Sequence, residues 1–249
     1  MSSISIVTVV LNGAATIRDC IDSVRAQSVA VEHIVVDGGS TDGTLELITG
    51  CLPVAERVIH GPDRGIYDAM NKGILGGTGE VVGILNADDF YAHGEVLAKA
   101  AEVFEDKAVD SCYGDLVYVD NADTGRVVRS WRAGPYDVSR FYRGWMPPHP
   151  TFFVRRSMYE KFGLFNLSLG SSADYELMLR FLLKNRITCR YIQETLVIMR
   201  VGGMSNVSLA NRLRANRMDR LAWRVNGLRP YPWTTLLKPI SKLPQYWWR

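Results

Sequence analysis

Short apolar runs alternate with amphipathic segments through the first half of the chain. The apolar runs have strand character and occupy residues 4–10, 33–36, 58–59 and 81–85. Between the first two runs, residues 15–27 place apolar side chains at helical spacing. Strands that alternate with helices are typical of a mostly parallel sheet with helices on its faces. The pattern therefore predicts an α/β fold.

Two adjacent carboxylates, Asp88 and Asp89, follow the apolar run at residues 81–85. Such a run suits a strand buried on both faces, and open α/β sheets bind ligands beyond the carboxyl ends of their strands. Neighbouring carboxylates repel each other, so a divalent metal that holds a phosphate is one reason to keep both ionised. An acidic turn without a ligand is the simpler alternative.

Asp37 has the corresponding position at the end of the second predicted strand. A carboxylate there can accept hydrogen bonds from a nucleobase or from ribose hydroxyls, or it can form the turn that follows. Asp42 lies further along the same loop and is expected to cap a helix that begins at Thr44.

Another helix is predicted at residues 66–73, where Asp68, Asn71 and Lys72 are one turn apart. This spacing places the three polar side chains on one helix face. Lys72 either meets a phosphate there or is an ordinary surface lysine. The local pattern leaves both interpretations open.

In the second half of the chain, residues 111–120 and 126–131 predict a β-hairpin. The prolines around His149 indicate a rigid loop that leads into a strand. His149 either faces a bound donor or acceptor or has a structural role. Further strands are expected at residues 189–193 and 195–200.

A helix is also predicted at residues 171–180, with Ser171 or Ser172 as its cap. Its first turn carries Asp174 and Glu176. Acidic side chains are favoured at a helix N-terminus by the helix dipole, so local structure alone explains them.

The last part of the chain begins with a candidate lid at residues 201–205. Ser205 and the preceding Arg200 could reach a diphosphate there.

From Arg200 onward the chain has ten basic residues and one acidic residue, Asp219. This segment has a net charge of +9, whereas the whole chain carries +3. Interleaved Trp and Tyr side chains suit a membrane interface with anionic lipids. A helix packed on the domain and an oligomer contact are the alternatives. Nucleic acid is disfavoured because the rest of the chain is acidic and no readout motif occurs.

Composition places the chain among globular proteins, since 249 residues with 47% hydrophobic content can bury a substantial core. Its four cysteines lack the spacing of a disulfide framework or a zinc site, which favours a reducing, cytoplasmic setting. No apolar run approaches the roughly 18 residues that span a bilayer. The N-terminus predicts a first strand in place of a signal peptide.

Four segments, residues 8–12, 35–44, 62–73 and 85–89, resemble the family 2 glycosyltransferases in their order and spacing. Within that family the chain looks like bacterial polysaccharide enzymes, including those of colanic-acid type. The resemblance covers roughly residues 4–205. It implies a Rossmann-like GT-A fold, a nucleotide-sugar donor, Mn²⁺ or Mg²⁺ as cofactor, and transfer with inversion.

The resemblance also implies roles for individual residues. Asp88, with Asp89 beside it, would hold the metal, and Asp174 would be the general base that deprotonates the acceptor. Asn86 stands where the family pattern often has Asp, so this position supplies less charge. The implied nucleotide-sugar-binding positions are Thr8, Val10, Asn12, Asp37, Asp68, Lys72, Asn86, Ala87 and Asp88. Positions that could reach the acceptor or the phosphates are His149 and Arg200.

The sequence thus predicts a metal-dependent inverting glycosyltransferase that uses a nucleotide-diphosphate sugar, by family frequency a UDP-sugar. The expected acceptor is a saccharide, free or linked to polyprenyl diphosphate. The expected organisation is a GT-A domain at residues 1–205 and a basic, aromatic extension at 206–249, on the inner face of the cell membrane or at a homo-oligomer contact.

Two rival functions stay open. A sugar-phosphate nucleotidyltransferase would need a glycine-rich basic loop after its first strand, and residues 11–15 do not supply one. A membrane scaffold that binds nucleotide sugars without turnover is the non-catalytic alternative.

Overall fold

The computed structural model describes residues 2–51, 57–202, 209–240 and 245, with the backbone alone at 209–214, 236, 239 and 240. Ser205 and most of the candidate lid therefore lie outside the described residues, as do the last four residues of the extension.

Four parallel strands form one half of a mixed sheet, in the order β3, β2, β1, β4. They are β1 (Ile4–Val10), β2 (Glu32–Asp37), β3 (Arg57–His60) and β4 (Val81–Asn86). The central strands are buried on both faces, as their continuous apolar character predicts. In this register Val10 lies opposite Asp37 and Val9 opposite Asn86. The polar strand ends consequently meet at one edge of the sheet.

Helices cover both faces of the parallel half. They are α1 (Ile17–Arg25), α2 (Thr44–Cys51), α3 (Ile66–Gly76) and α4 (Val96–Val103). The apolar positions of α1 face the sheet, as their helical spacing predicts. On α3, Gly73 permits a very close approach to Val7, because a Cβ at this position would overlap the valine methyl. The strands and helices predicted in this half are confirmed.

The second half of the sheet is mostly antiparallel. Its strands are β5 (Asp89–Tyr91), β6 (Ser111–Val119), β7 (Val127–Trp131), β8 (Phe153–Arg155) and β9 (Cys189–Arg200). β8 joins β4 to β6, while β9 pairs in parallel with β6 and antiparallel with β5. β7 forms the predicted hairpin with β6.

The segments at residues 189–193 and 195–200 belong to one continuous strand, β9. A register shift between Tyr113 and Asp115 absorbs the extra residues of β9 and lets the pairing with β6 continue.

Four more α-helices lie in the second half of the described chain. They are α5 (Arg156–Phe162), α6 (Ala173–Met178), α7 (Leu209–Val225) and α8 (Thr234–Ile240). Ala222 and Trp223 of α7 are fully buried in the main apolar core. The apolar core thus continues beyond residue 205. The expected boundary at that residue marks a change in net charge along the chain, and the core extends across it. Among the described residues, no helix combines the length and apolar character needed to cross a membrane.

Candidate functional site

The loops after β1 and β2 are tied together by Asn12. Its backbone N–H donates to Ser40 Oγ across 2.8 Å, and its side-chain oxygen accepts from the N–H of Thr41 across 2.9 Å. The φ of 54° at Asn12 lies in the left-handed region, which asparagine tolerates better than most residues. Asp42 caps α2 as predicted, since its carboxylate accepts from the N–H of Thr44 across 3.1 Å.

Asp37 is fully buried at the end of β2. Its carboxylate accepts from the backbone N–H groups of Gly39 and Ser40 at 3.2 and 3.1 Å, and from the Ser40 hydroxyl. The Nδ1 atom of His60 lies 2.7 Å from Asp37 Oδ2. Burial alone would raise the pKa of Asp37, but the hydrogen bonds from Ser40, His60 and the backbone hold this pKa below its usual value. Asp37 therefore builds the loop, and its direct contact with a base stays a prediction.

Thr8 and Val10 lie beneath the same loops. Thr8 is fully buried, and its hydroxyl lies 3.0 Å from Nε2 of His33 and 3.6 Å from Sγ of Cys20. Val10 packs with Ile17 in an apolar cluster on the α1 side of the sheet. Both side chains are buried beneath these loops, so a direct contact of either with a nucleotide also stays a prediction.

The polar face of α3 holds the loop that precedes it. Asp68 accepts from the backbone N–H and the guanidinium of Arg64 at 3.1 and 2.9 Å, and the guanidinium bond lowers the pKa of Asp68. Lys72 pairs with Asp63 and donates to the carbonyl of Pro62 across 2.9 Å. The Lys72 ammonium is thus paired within the protein, and its contact with a phosphate stays a prediction.

The turn after β4 separates the two adjacent carboxylates. Asp88 is partly exposed, and no described residue forms a hydrogen bond or an ion pair with its carboxylate. Asp89 is fully buried and accepts from Nδ2 of Asn86 across 3.0 Å, while its other oxygen has no partner among the described residues. Burial, and then the charge of Asp88, raise the pKa of Asp89 well above its usual range. Contrary to expectation, Asp89 presents no exposed oxygen to a metal.

The side chains available as metal ligands suit a metal ion that also binds a diphosphate. Among the described residues, no three His, Cys, Asp or Glu side chains converge into a complete metal site. Mg²⁺ in phosphate sites commonly takes one or two protein carboxylates and completes its shell with phosphate oxygens and water. Asp88 fits that role, and Ala87, which is buried, and Asn86 hold the turn behind it.

Arg200 fixes this turn from behind. Its guanidinium donates to the carbonyl of Asp88 across 3.0 Å and pairs with Asp19 of α1. The residue is only 6% exposed and packs over the ring of Phe90. Arg200 therefore positions the turn at Asp88, and its contact with the acceptor or the phosphates stays a prediction.

Asp174 lies in the first turn of α6, beside two other titratable side chains. Its Oδ1 accepts from the N–H of Tyr175 across 2.7 Å. Burial lowers the pKa of His149, and the charge of Asp174 opposes this shift. Burial also raises the pKa of Tyr67 well above its usual range, and Asp174 adds to the rise. Phe165 contacts both partners, with ring-centroid distances of 5.3 Å to Tyr67 and 5.6 Å to His149.

The segment that carries Asp174 is not held by a serine cap, which corrects the sequence expectation. Ser172 precedes α6 without a side-chain capping bond. A buried ion pair holds it instead, with Glu176 Oε1 and Oε2 each 3.0 Å from the guanidinium of Arg180. Sequence reasoning did not assign Tyr67 or this ion pair, although Tyr67 lies within the motif at residues 62–73.

Comparison with known sequences agrees with this site. The model for Glycosyl transferase family 2 matches residues 5–164. A PGL/p-HBAD biosynthesis glycosyltransferase of Mycobacterium tuberculosis is 32% identical over 208 residues, covering 81% of this chain and 78% of its own. An uncharacterised glycosyltransferase of the same species is 32% identical over 186 residues, covering 72% and 68%.

Solved structures agree on the fold. TarS 1-349 of S. aureus, in complex with UDP-GlcNAc, superimposes with a TM-score of 0.71 at 18% identity, covering 90% of this chain. This chain spans 66% of that structure. The mannosyltransferase PcManGT from Pyrobaculum calidifontis, with GDP-Man and Mn²⁺, gives a TM-score of 0.64 at 19% identity, covering 96% and 69%. The predicted GT-A fold is confirmed.

Proposed function

Because the chain belongs to glycosyltransferase family 2, we propose that it transfers a sugar from a UDP-sugar to a saccharide hydroxyl with inversion at the anomeric carbon. One observation carries this proposal. A partly buried carboxylate, Asp174, lies beside His149 and Tyr67 in a GT-A domain whose metal turn exposes Asp88.

In the proposed reaction, Asp174 accepts the proton of the acceptor hydroxyl as that oxygen attacks the anomeric carbon. The new carbon–oxygen bond forms on the face opposite the nucleotide, and the bond to the diphosphate breaks. The diphosphate leaves with the electron pair. One displacement inverts the anomeric centre, so no covalent sugar–enzyme intermediate is required.

The Asp88 carboxylate would hold Mn²⁺ or Mg²⁺ together with the donor diphosphate, and a bound metal supplies charge stabilisation for the leaving group. Arg200 keeps the Asp88 turn in place through its bond to the Asp88 carbonyl. The Mn²⁺ complex of the archaeal mannosyltransferase supports a divalent cofactor in this fold.

UDP is the proposed nucleotide of the donor because TarS was solved with UDP-GlcNAc, whereas the GDP-Man complex makes GDP the alternative. The proposed acceptor is a lipid-linked saccharide of a bacterial surface polysaccharide. The basic segment at residues 206–249 would hold the enzyme on the inner membrane face, where such an acceptor resides.

Nucleotide binding tests the donor and the metal together. We expect calorimetry with UDP, GDP and dTDP to show that the wild type prefers one nucleotide. Mn²⁺ should increase the affinity of the wild type for that nucleotide and should not increase the affinity of Asp88→Ala. Asp22→Ala is the matched control, because Asp22 is exposed on α1. Failure of all three nucleotides to bind would contradict the proposal.

Turnover tests the base. Asp174→Asn should retain nucleotide binding and lower kcat roughly 10²- to 10⁴-fold, the usual contribution of a general base. Asp22→Asn should leave kcat unchanged. A scaffold would bind the nucleotide sugar without turnover and would give identical results for wild type and Asp174→Asn.

A further inference from the structure

An aromatic groove of about 480 Å³ lies beside the short 3₁₀ helix Val138–Arg143. Its lining residues are Ser139, Tyr142, Arg143, Tyr231 and Trp233. Tyr231 and Trp233 stack with a centroid distance of 5.2 Å and an interplanar angle of 23°. They are 53% and 52% exposed, which is unusual for large aromatic side chains in a chain with a well-formed core.

The surroundings of the groove are basic and partly apolar. Arg143 lines it, and Arg224 and Arg229 are exposed in the segment that leads to Tyr231. Val138 and Val225 add exposed apolar surface, at 37% and 46%. This part of the chain carries the excess positive charge that the sequence shows beyond residue 200.

We propose that this aromatic–basic surface, formed by Val138–Arg143 and residues 224–233, contacts the anionic headgroups of a lipid bilayer. Indole and phenol rings place an apolar body against the acyl region and a polar tip in water, which favours the membrane interface. Guanidinium groups bind lipid phosphates, and basic residues near an anionic leaflet are attracted to its surface potential. Charge complementarity thus favours a membrane over an uncharged ligand. The surface combines the extension with a segment from the middle of the domain.

Two aromatic side chains, Tyr142 and Trp223, connect this surface to α6, the helix that carries Asp174. The ring of Tyr142 contacts Tyr231 at 5.2 Å and Trp223 at 5.0 Å. Trp223 in turn donates to the hydroxyl of Tyr175, the residue after Asp174. A bilayer bound here would lie near α6, where an acceptor anchored in the same bilayer could reach the base. This last step rests on the proposed function, whereas the lipid contact itself does not.

Vesicle co-sedimentation with the full chain tests the surface. We expect wild type to bind vesicles of phosphatidylcholine and phosphatidylglycerol and to bind pure phosphatidylcholine much more weakly. Arg143→Glu should weaken binding to the mixed vesicles roughly tenfold to thirtyfold, because it replaces attraction by repulsion. The double variant Tyr231→Ala/Trp233→Ala should weaken binding to a similar extent, and Trp233→Phe should retain most of it.

Leu75→Ala is the matched control, since Leu75 is 73% exposed on α3. Unchanged thermal unfolding and unchanged UDP binding in each variant would show that folding and the donor site are intact. The proposal would be overturned if Arg143→Glu bound the mixed vesicles as tightly as wild type does. It would also be overturned if wild type bound pure phosphatidylcholine vesicles as tightly as the mixed vesicles. Quenching of Trp233 fluorescence by a soluble oligosaccharide without vesicle binding would also overturn it and assign the groove to a saccharide. Failure of transferase activity would leave the vesicle result unaffected, so the two proposals are separable.

Discussion

Trp223 donates its indole N–H to the hydroxyl of Tyr175 across 2.9 Å, and both side chains are almost completely buried. Tyr175 follows Asp174 in α6, so this bond ties the helix of the proposed base to α7. Asn226 adds a second tie by donating to Glu176 Oε1 across 3.1 Å. The position of Asp174 therefore depends on residues that come late in the chain.

Substitution of Trp223 should lower stability in two steps. Trp223→Phe leaves the buried Tyr175 hydroxyl without its donor, which should lower the free energy of unfolding by about 1–3 kcal/mol. Trp223→Ala also removes the buried ring and should cost about 3–5 kcal/mol. Urea unfolding measures both. The matched control is Trp233→Ala, where the ring is 52% exposed, with an expected change within about 0.5 kcal/mol. Equal losses in the free energy of unfolding for Trp223→Ala and Trp233→Ala would contradict the burial of Trp223 in the core.

Asn71 should be sensitive even to an isosteric change. Its Nδ2 donates to the carbonyl of Phe165 across 3.0 Å, and its Oδ1 accepts from the Phe165 N–H across 2.9 Å. Asn71→Asp keeps the acceptor but places an oxygen against the carbonyl, which should cost about 1–3 kcal/mol in chemical unfolding. Asn121→Asp, in an exposed turn, should be neutral. Because Phe165 packs on Tyr67, we expect turnover to fall as well.

Two glycine-to-alanine substitutions should change stability in opposite directions. At Gly73 a new Cβ would overlap Val7 Cγ1, so Gly73→Ala should destabilise the fold by about 1–3 kcal/mol. At Gly50 of α2 a Cβ meets no atom of the described residues within 4 Å, so Gly50→Ala should stabilise the fold by about 0.5–1 kcal/mol. Thermal and urea unfolding report both. A stabilising Gly73→Ala would show that α3 is not held against β1 as described.

Asp37 should make the stability of the protein depend on pH on the acid side. Because the pKa of Asp37 is lower in the folded state than its ordinary value of 3.8, the ionised carboxylate stabilises the fold at neutral pH. That stabilisation is complete above the unfolded value and is lost as pH falls through the folded one. Asp37→Asn should cost about 1–3 kcal/mol at pH 7. The difference from wild type should shrink below pH 3.8 in urea unfolding across pH, and a constant difference would contradict the shift.

The coupling of His149 to Asp174 predicts a measurable pKa change. Burial holds the pKa of His149 below its usual value, and the negative charge of Asp174 raises it. Asp174→Asn removes that charge, so the pKa of His149 should fall further. An NMR titration of the four histidines, with His149→Gln for assignment, measures this shift. An unchanged pKa of His149 in Asp174→Asn would place the two groups too far apart to interact.

The local pattern predicted the parallel half of the sheet well. The strands around Val10, Asp37 and Asn86 are short and apolar, and their polar ends must share an edge once the strands are parallel. The burial of adjacent residues was harder to predict. Asp88 and Asp89 look alike in sequence, but β5 begins at Asp89 and turns its side chain inward.

The contacts that hold the segment around Asp174 could not be predicted from local sequence. Ser172 looked like a cap, yet α6 is held by Arg180 and by α7. Those contacts join residues far apart in the chain, so no periodicity or spacing rule reveals them. Trp223 shows the same limit, since its basic neighbours indicated a surface helix while its ring lies in the core.

The packing of α7 against α6 also has a consequence for the order of assembly during synthesis. The strands β1 to β4, whose ends carry the proposed nucleotide site, leave the ribosome long before Trp223 does, because the chain emerges from its N-terminal end. A nascent chain can thus form β1 to β4 while the segment around Asp174 still lacks its partner helix. Donor recognition and catalytic competence would then be acquired at different times, with the second delayed until α7 has been translated.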